Sequence, residues 1–152
     1  DTHGHRKEIR EIIEREKPID LLIHLGDIQG DEEYIQSLAA CPMERVKGNS
    51  DRDTAIPRDQ EILLDHHKIF LTHGHCYGVN TTLDRVAREG LRRNADIVMF
   101  GHTHIPLLLE ERMLTILNPG STSDPRQKNG RPSYMVMEWE KGKRAEFTLR
   151  YL

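Results

Sequence analysis

Ile97-Val98-Met99-Phe100-Gly101-His102-Thr103-His104 joins an apolar run to a glycine and two histidines one residue apart. Four consecutive apolar residues read as a buried strand, and Gly101 lets the backbone turn sharply at its end. The histidines then stand just past a strand end, where α/β folds place their ligands. Two more pairs share this spacing, His3 with His5 and His73 with His75, the latter again after an apolar run, Ile69-Phe70-Leu71. Six of the nine histidines fall in these pairs, so chance surface placement is a poor account of them. Gly26-Asp27 and Gly48-Asn49 close two further expected strands. Neutral imidazole and carboxylate together suit Zn, Mn, Fe or Ni. The pattern points to a metal centre.

Composition narrows the class. With 152 residues the chain is long enough for one domain with a sizeable core, and residues 1–152 are expected to form one. The 22 basic and 25 acidic residues leave a net charge of −3, with no basic arm or acidic tail. No apolar run approaches the roughly 20 residues of a membrane span. Cys41 and Cys76 lack metal-motif spacing and suggest no disulfide framework, which points to a reducing compartment, the cytoplasm. Cys76 reads as a small buried apolar residue.

Asp1-Thr2-His3 is a D-x-H motif at the first residue. A metal ligand needs rigid support, so an N-terminal strand is expected to be missing from this sequence. Ile9, Ile12 and Ile13 mark a helix over about 5–16, stopped by Pro18. Leu21 to Leu25 reads as a buried strand in which His24 is a core residue. Asp31 caps a second helix carrying Ile35, Leu38 and Ala39. A short strand spans 43–47. Segments 60–64 and 68–72 form a hairpin about Asp65-His66-His67, both histidines taken as polar turn residues. Leu83, Val86, Ala87, Gly90 and Leu91 stripe a third helix. Further strands are expected at 97–100, 107–109, 114–117, 134–139 and 145–151, the last two joined by Lys141-Gly142-Lys143. The order is β-α-β-α-β, counting the absent strand, then a hairpin, α, β and an antiparallel C-terminal run. Such an order suits a two-sheet α/β sandwich with helices outside.

The ordered set Asp1-x-His3, Gly26-Asp27, Gly48-Asn49-x-Asp51, His73-Gly74-His75 and Gly101-His102-x-His104 resembles the calcineurin-like metallophosphoesterases. More narrowly it resembles their small YfcE-type bacterial and archaeal phosphodiesterase branch, to which Asn118-Pro119-Gly120-Ser121 is also similar. The likeness runs over nearly the whole chain. It implies a metal-dependent phosphodiesterase in which a hydroxide bridging two divalent ions attacks a phosphate ester. It also implies that Asp1, His3 and His104 hold one ion, that Asn49, His73 and His102 hold the other, and that Asp27 bridges them. Ions roughly 3.5–4 Å apart clamp the attacking and leaving oxygens. Manganese is the first expectation, with nickel, iron or zinc as alternatives.

Asn49, Asp51 and His75 are the catalytic candidates: His75 to donate a proton or bind phosphate, Asp51 to order its loop. His5 is expected beyond the ligands or at the surface. Many relatives carry Gly-Asn-His at the third motif, the histidine protonating the leaving group; here the position is Ser50. The implied partner is a small-molecule phosphate ester, with no nucleic acid and no membrane, and a homo-oligomer is compatible with it. One competing reading is a non-catalytic protein-interaction scaffold on the same fold, like the retromer scaffold subunit. That subunit departs from the metal pattern where this chain keeps all seven positions. The other is a nuclease, but the family's nucleases are longer, and this chain has no basic surface signature. A serine hydrolase on Ser50 or Ser121 lacks a G-x-S-x-G context.

Overall fold

In the computed structural model, which describes residues 1–152, the apolar runs become short strands whose C-terminal ends lie together. The order is α1 (Arg6–Glu16), β1 (Leu22–His24), α2 (Glu32–Ala39), β2 (Met43–Arg45), β3 (Asp59–Leu64), β4 (His67–Thr72), α3 (Asp84–Arg92), β5 (Ile97–Met99), β6 (Leu107–Glu110), β7 (Thr115–Asn118), β8 (Ser133–Glu138) and β9 (Glu146–Tyr151). A five-stranded mixed sheet has the order β3-β4-β5-β7-β6. Within it β4, β5 and β7 are parallel, with Leu71 beside Met99 and Met99 beside Leu117. β1 pairs in parallel with β2, and β8 with β9 in an antiparallel hairpin.

Side chains alternate across the central strands, so each strand is buried on both faces. Phe70, Val98 and Ile116 turn to α3, where Val86 and Leu114 join them. Ile69, Leu71, Ile97, Met99 and Leu117 turn the other way and meet Leu25, Val46, Met135, Met137 and Phe147 from the second layer of strands. Beyond that layer, Ile9 and Ile13 of α1 and Ile35 and Ala39 of α2 pack with Ile28 and Ile56. The result is an α/β sandwich: two layers of strands between two layers of helices. A cleft of about 400 Å³ lies between α1, β1 and β8, lined by Ile12, Ile13, Met99, Leu117 and Met135 among others. The strand expected before Asp1 lies outside the described residues.

Two local readings are corrected. His67 is not a polar turn residue; it opens β4, is buried, and bonds the Lys143 carbonyl at 3.1 Å, with Trp139 edge-on to its ring. Its neighbour His66 does sit in the turn, 3.0 Å from Asp65. Cys76 is exposed rather than buried, because it falls in the 3-10 turn His75–Tyr77 that follows β4.

Candidate metal centre

Four loops leave the C-terminal ends of β1, β2, β4 and β5, and with the Asp1–His5 segment they are tied to one another by backbone bonds. The His3 amide donates to the Asp27 carbonyl at 2.9 Å, and the Gly101 amide donates to the His73 carbonyl at 3.1 Å. Close approach is possible because glycines stand where side chains would collide. A Cβ on Gly48 would lie 2.0 Å from Asp27 Oδ1, and one on Gly26 would lie 2.6 Å from His73 Nδ1. His3, Asp27, His102 and His104 all have left-handed backbone, with φ of 47°, 56°, 68° and 60°. Such φ values cost residues other than glycine of the order of 1–3 kcal/mol each and cluster where function holds them.

The seven expected ligand positions converge. His3 Nε2 faces His104 Nε2 at 3.2 Å. Asp27 Oδ2 lies 3.6 Å from both His3 Nε2 and His73 Nε2, between the two halves of the set. Asp1 Oδ1 lies 3.7 Å from His104 Nε2 and 3.7 Å from His73 Nδ1. Asn49 Oδ1 is 3.1 Å from His73 Nε2, and the His102 ring is 5.1 Å from the His73 ring. Asp1, His3 and His104 form one cluster of ligand atoms; Asp1, Asp27 and His73 form another, with Asp1 common to both.

The donor set fits a cation. Asp1 Oδ1 is buried and has no hydrogen-bond partner, a costly state for a carboxylate oxygen unless a positive charge meets it. Two imidazoles have their tautomers fixed from behind. His73 Nδ1 donates to the Leu25 carbonyl at 2.7 Å, and His104 Nδ1 to the Asp124 carbonyl at 2.8 Å. Each Nε2 is then left with its lone pair turned inward, as a metal-binding histidine requires.

Electrostatics point the same way. Burial pushes His73 below the ordinary histidine range, and burial first, with Arg126 a lesser influence, does the same for His102 and His104. Burial works to raise the Asp27 carboxyl, but the Ser50 amide and the facing His73 and His3 outweigh it and hold the group low. Burial thus favours the neutral form of His73, His102 and His104, while the Asp27 carboxyl is held low, the forms that bind metal.

The remaining candidates divide. Asp51 is buried and serves the backbone: Oδ2 accepts from the Asp27 and Gly48 amides, each at 2.8 Å, and Oδ1 from the Gln29 amide at 2.7 Å. It thereby holds the two loops that present Asp27 and Asn49. His75 stands beside the centre, its ring 5.3 Å from that of His73 and 6.1 Å from that of His102, with Nδ1 buried and unpartnered. His5 is exposed. Ser50 turns inward, its amide 2.8 Å from Asp27 Oδ1 and its hydroxyl 3.1 Å from Oδ2.

Several residues outside the expected ligand and catalytic positions complete the site. Asn118 is fully buried and donates to the Gly101 carbonyl at 2.7 Å and to Thr103 Oγ1 at 2.9 Å, fixing the His102–His104 loop. Ser121 Oγ donates to the Asp1 carbonyl at 2.9 Å. Asn80 donates to His102 Nε2 at 2.9 Å. Asp124 Oδ2 accepts from His104 Nδ1 at 3.0 Å. The N-P-G-S motif was the available signal for Asn118 and Ser121; nothing in the sequence marks Asn80 or Asp124.

His24 is the core histidine expected, donating through Nε2 to Thr2 Oγ1 at 3.2 Å while the Gly26 amide donates to Nδ1. Burial holds it well below the usual range. A histidine whose folded pKa is depressed stabilises the fold above its unfolded value, near 6.5, and that contribution is lost as pH falls toward the folded value. The metal-free protein is therefore expected to lose up to about 1.4 kcal/mol per pH unit for each such histidine below about pH 6.5. Thermal unfolding followed from about pH 8 down to about pH 5 measures the slope, and His24→Gln should flatten it. An unchanged slope in that variant would remove His24 from the account.

The family model for the calcineurin-like phosphoesterase superfamily domain matches residues 1–142. A probable metallophosphoesterase of Methanothermobacter thermautotrophicus is 32% identical over 142 residues, covering 90% of this chain and 81% of that protein. The phosphodiesterase YfcE of Escherichia coli K12 is 36% identical over 80 residues, which is 52% of this chain and 39% of that protein. Among solved structures, Vps29 of Entamoeba histolytica complexed with Zn²⁺ superposes with a TM-score of 0.78 at 21% identity, covering 93% of this chain and 88% of that one.

Proposed function

This chain belongs to the calcineurin-like phosphoesterase superfamily, and from that premise we propose that it is a metal-dependent phosphodiesterase acting on small phosphate esters in the cytoplasm. The observation that carries the reading is the unpartnered, buried Asp1 Oδ1, clustered with His3 and His104 and 3.7 Å from His104 Nε2, a distance suited to sharing a cation. Asp1, His3 and His104 hold one ion in this reading, Asn49, His73 and His102 the other, with Asp27 between them. Two divalent ions, manganese first among them, would supply a water nucleophile at neutral pH and neutralise charge on the phosphoryl oxygens.

The chain's own groups do the rest. Asn49 contributes a neutral oxygen, so the site is not overcharged against an anionic substrate. The Leu25 and Asp124 carbonyls keep His73 and His104 in one tautomer. Asp51 keeps Asp27 and Asn49 in register. His75, the imidazole beside the centre, would meet the substrate in this reading.

Activity on a panel of phosphate esters, with each divalent metal added in turn, tests this. The expected result is manganese-supported hydrolysis of a nitrophenyl phosphodiester, abolished by a chelator and restored by metal, with two ions per chain by elemental analysis. One ion per chain, with Asp1 and His3 uncoordinated, would count against the paired centre. The scaffold reading rests on fold likeness to Vps29 alone. The nuclease reading lacks a basic surface: cations and anions are balanced.

A further inference from the structure

We propose that Arg126 is a substrate-binding residue, the cation that takes an anionic oxygen of the phosphate ester at the edge of the metal centre and favours substrates with more charge on the phosphorus. The inference rests on the phosphoesterase reading above and adds to it a residue and a charge preference.

The backbone of Arg126 is pinned to the ligand loop, its amide donating to the His104 carbonyl at 3.2 Å. Its side chain is tethered on one side only. Nη2 donates to Asp124 Oδ2 at 3.1 Å, the same oxygen that accepts from His104 Nδ1. Nε and Nη1 have no protein partner, and the side chain is 54% exposed against an Asp124 that is 58% exposed. An exposed pair of this kind is worth little, about 0–1 kcal/mol, so the guanidinium is free to turn its unused fork toward an incoming anion. Arg6, a second cation near the front of the chain, is spent: Nε and Nη2 both grip Asp31 Oδ1, at 2.8 and 2.6 Å.

A guanidinium presents two parallel N–H donors that match two phosphate oxygens, which lysine does not. A phosphate with a free second ionisation carries about −1.5 to −2 at neutral pH, whereas a diester carries only one negative charge. Arg126 should therefore matter most for monoester dianions and for inorganic phosphate, and less for diesters.

Kinetics of Arg126→Ala and Arg126→Lys, with inorganic phosphate as the probe and elemental analysis alongside, test the proposal. In Arg126→Ala the inhibition constant of phosphate and the KM for a nitrophenyl phosphomonoester should rise about tenfold, the scale of one charge-assisted bond. The KM for the matching diester should rise less, kcat should change less than KM, and metal per chain should stay the same. Arg126→Lys should recover part of the loss. Unchanged phosphate inhibition in an active variant overturns the inference while leaving the phosphoesterase reading intact. So does loss of metal from Arg126→Ala, which would mean that the residue acts only through Asp124 and His104. A wild-type protein that neither hydrolyses any ester nor binds phosphate by calorimetry overturns both.

Discussion

Asp27→Asn should empty both halves of the proposed metal centre and lower kcat/KM for phosphodiesters about a thousandfold, the loss of several kcal/mol of transition-state stabilisation. The expectation follows from position. Asp27 Oδ2 is equidistant, at 3.6 Å, from a histidine of each half, His3 and His73. The carboxylate is almost fully buried and held ionised by the Ser50 amide and the facing imidazoles. Asparagine keeps the shape and an oxygen for the Ser50 amide but removes the charge, so the fold should survive. His104→Ala should weaken mainly the half with Asp1 and His3, and His102→Ala mainly the half with Asn49 and His73. Metal per chain, melting temperature and turnover, measured together on the three variants, separate these effects. If Asp27→Asn keeps two ions and more than about a tenth of the activity, a carboxylate shared between two ions is not what this residue provides; Asp1, which also touches both clusters, would then be the shared ligand.

The fold was legible where burial on both faces leaves an unbroken apolar run. Ile97-Val98-Met99 and Ile69-Phe70-Leu71 announce central strands because neighbours above and below forbid any polar residue there. The α1 stripe of Ile9, Ile12 and Ile13 was equally plain. His67 was not, since a histidine next to a turn looks solvated until the Lys143 carbonyl comes round to cap it from far along the chain.

The same division holds at the centre. Residues that would touch a metal advertise themselves by type and spacing, because few side chains, imidazole and carboxylate foremost, do that work. Residues that hold them in place do so with generic hydrogen bonds over long separations. Asp124 reaches back to His104, and any aspartate in a loop looks alike before the chain has folded; Asn118, which reaches back to Gly101, was marked only by its N-P-G-S motif. The left-handed φ of His3, Asp27, His102 and His104 is also invisible in sequence, since nothing but the surrounding structure imposes it on residues other than glycine.

Aryl phosphodiesters should be hydrolysed at least about a hundredfold faster than simple alkyl ones, because the site offers the leaving oxygen little acid. Where many relatives carry a histidine, this chain has Ser50, whose groups are committed elsewhere: the hydroxyl donates to Asp27 Oδ2 and the backbone amide to Oδ1. Asn80 occupies His102 Nε2, and the Nδ1 hydrogens of His73 and His104 go to carbonyls behind them. That leaves His75, whose ring stands 5.3 Å from that of His73 and which has no place among the expected ligands. Protonation of the departing group by a positioned acid contributes typically 10²–10⁴-fold. A phenolate leaves without that help; an alkoxide does not. Rates across a series of diesters with leaving groups of rising pKa, on wild type and His75→Ala, read the contribution directly. Wild type should slow steadily as leaving-group pKa rises, and His75→Ala should slow more steeply, losing about tenfold or more on alkyl esters while aryl rates change little. Parallel slopes would take the acid role from His75 and give it to solvent. Flat slopes in both would mean that the bond to the leaving group is not breaking in the slow step.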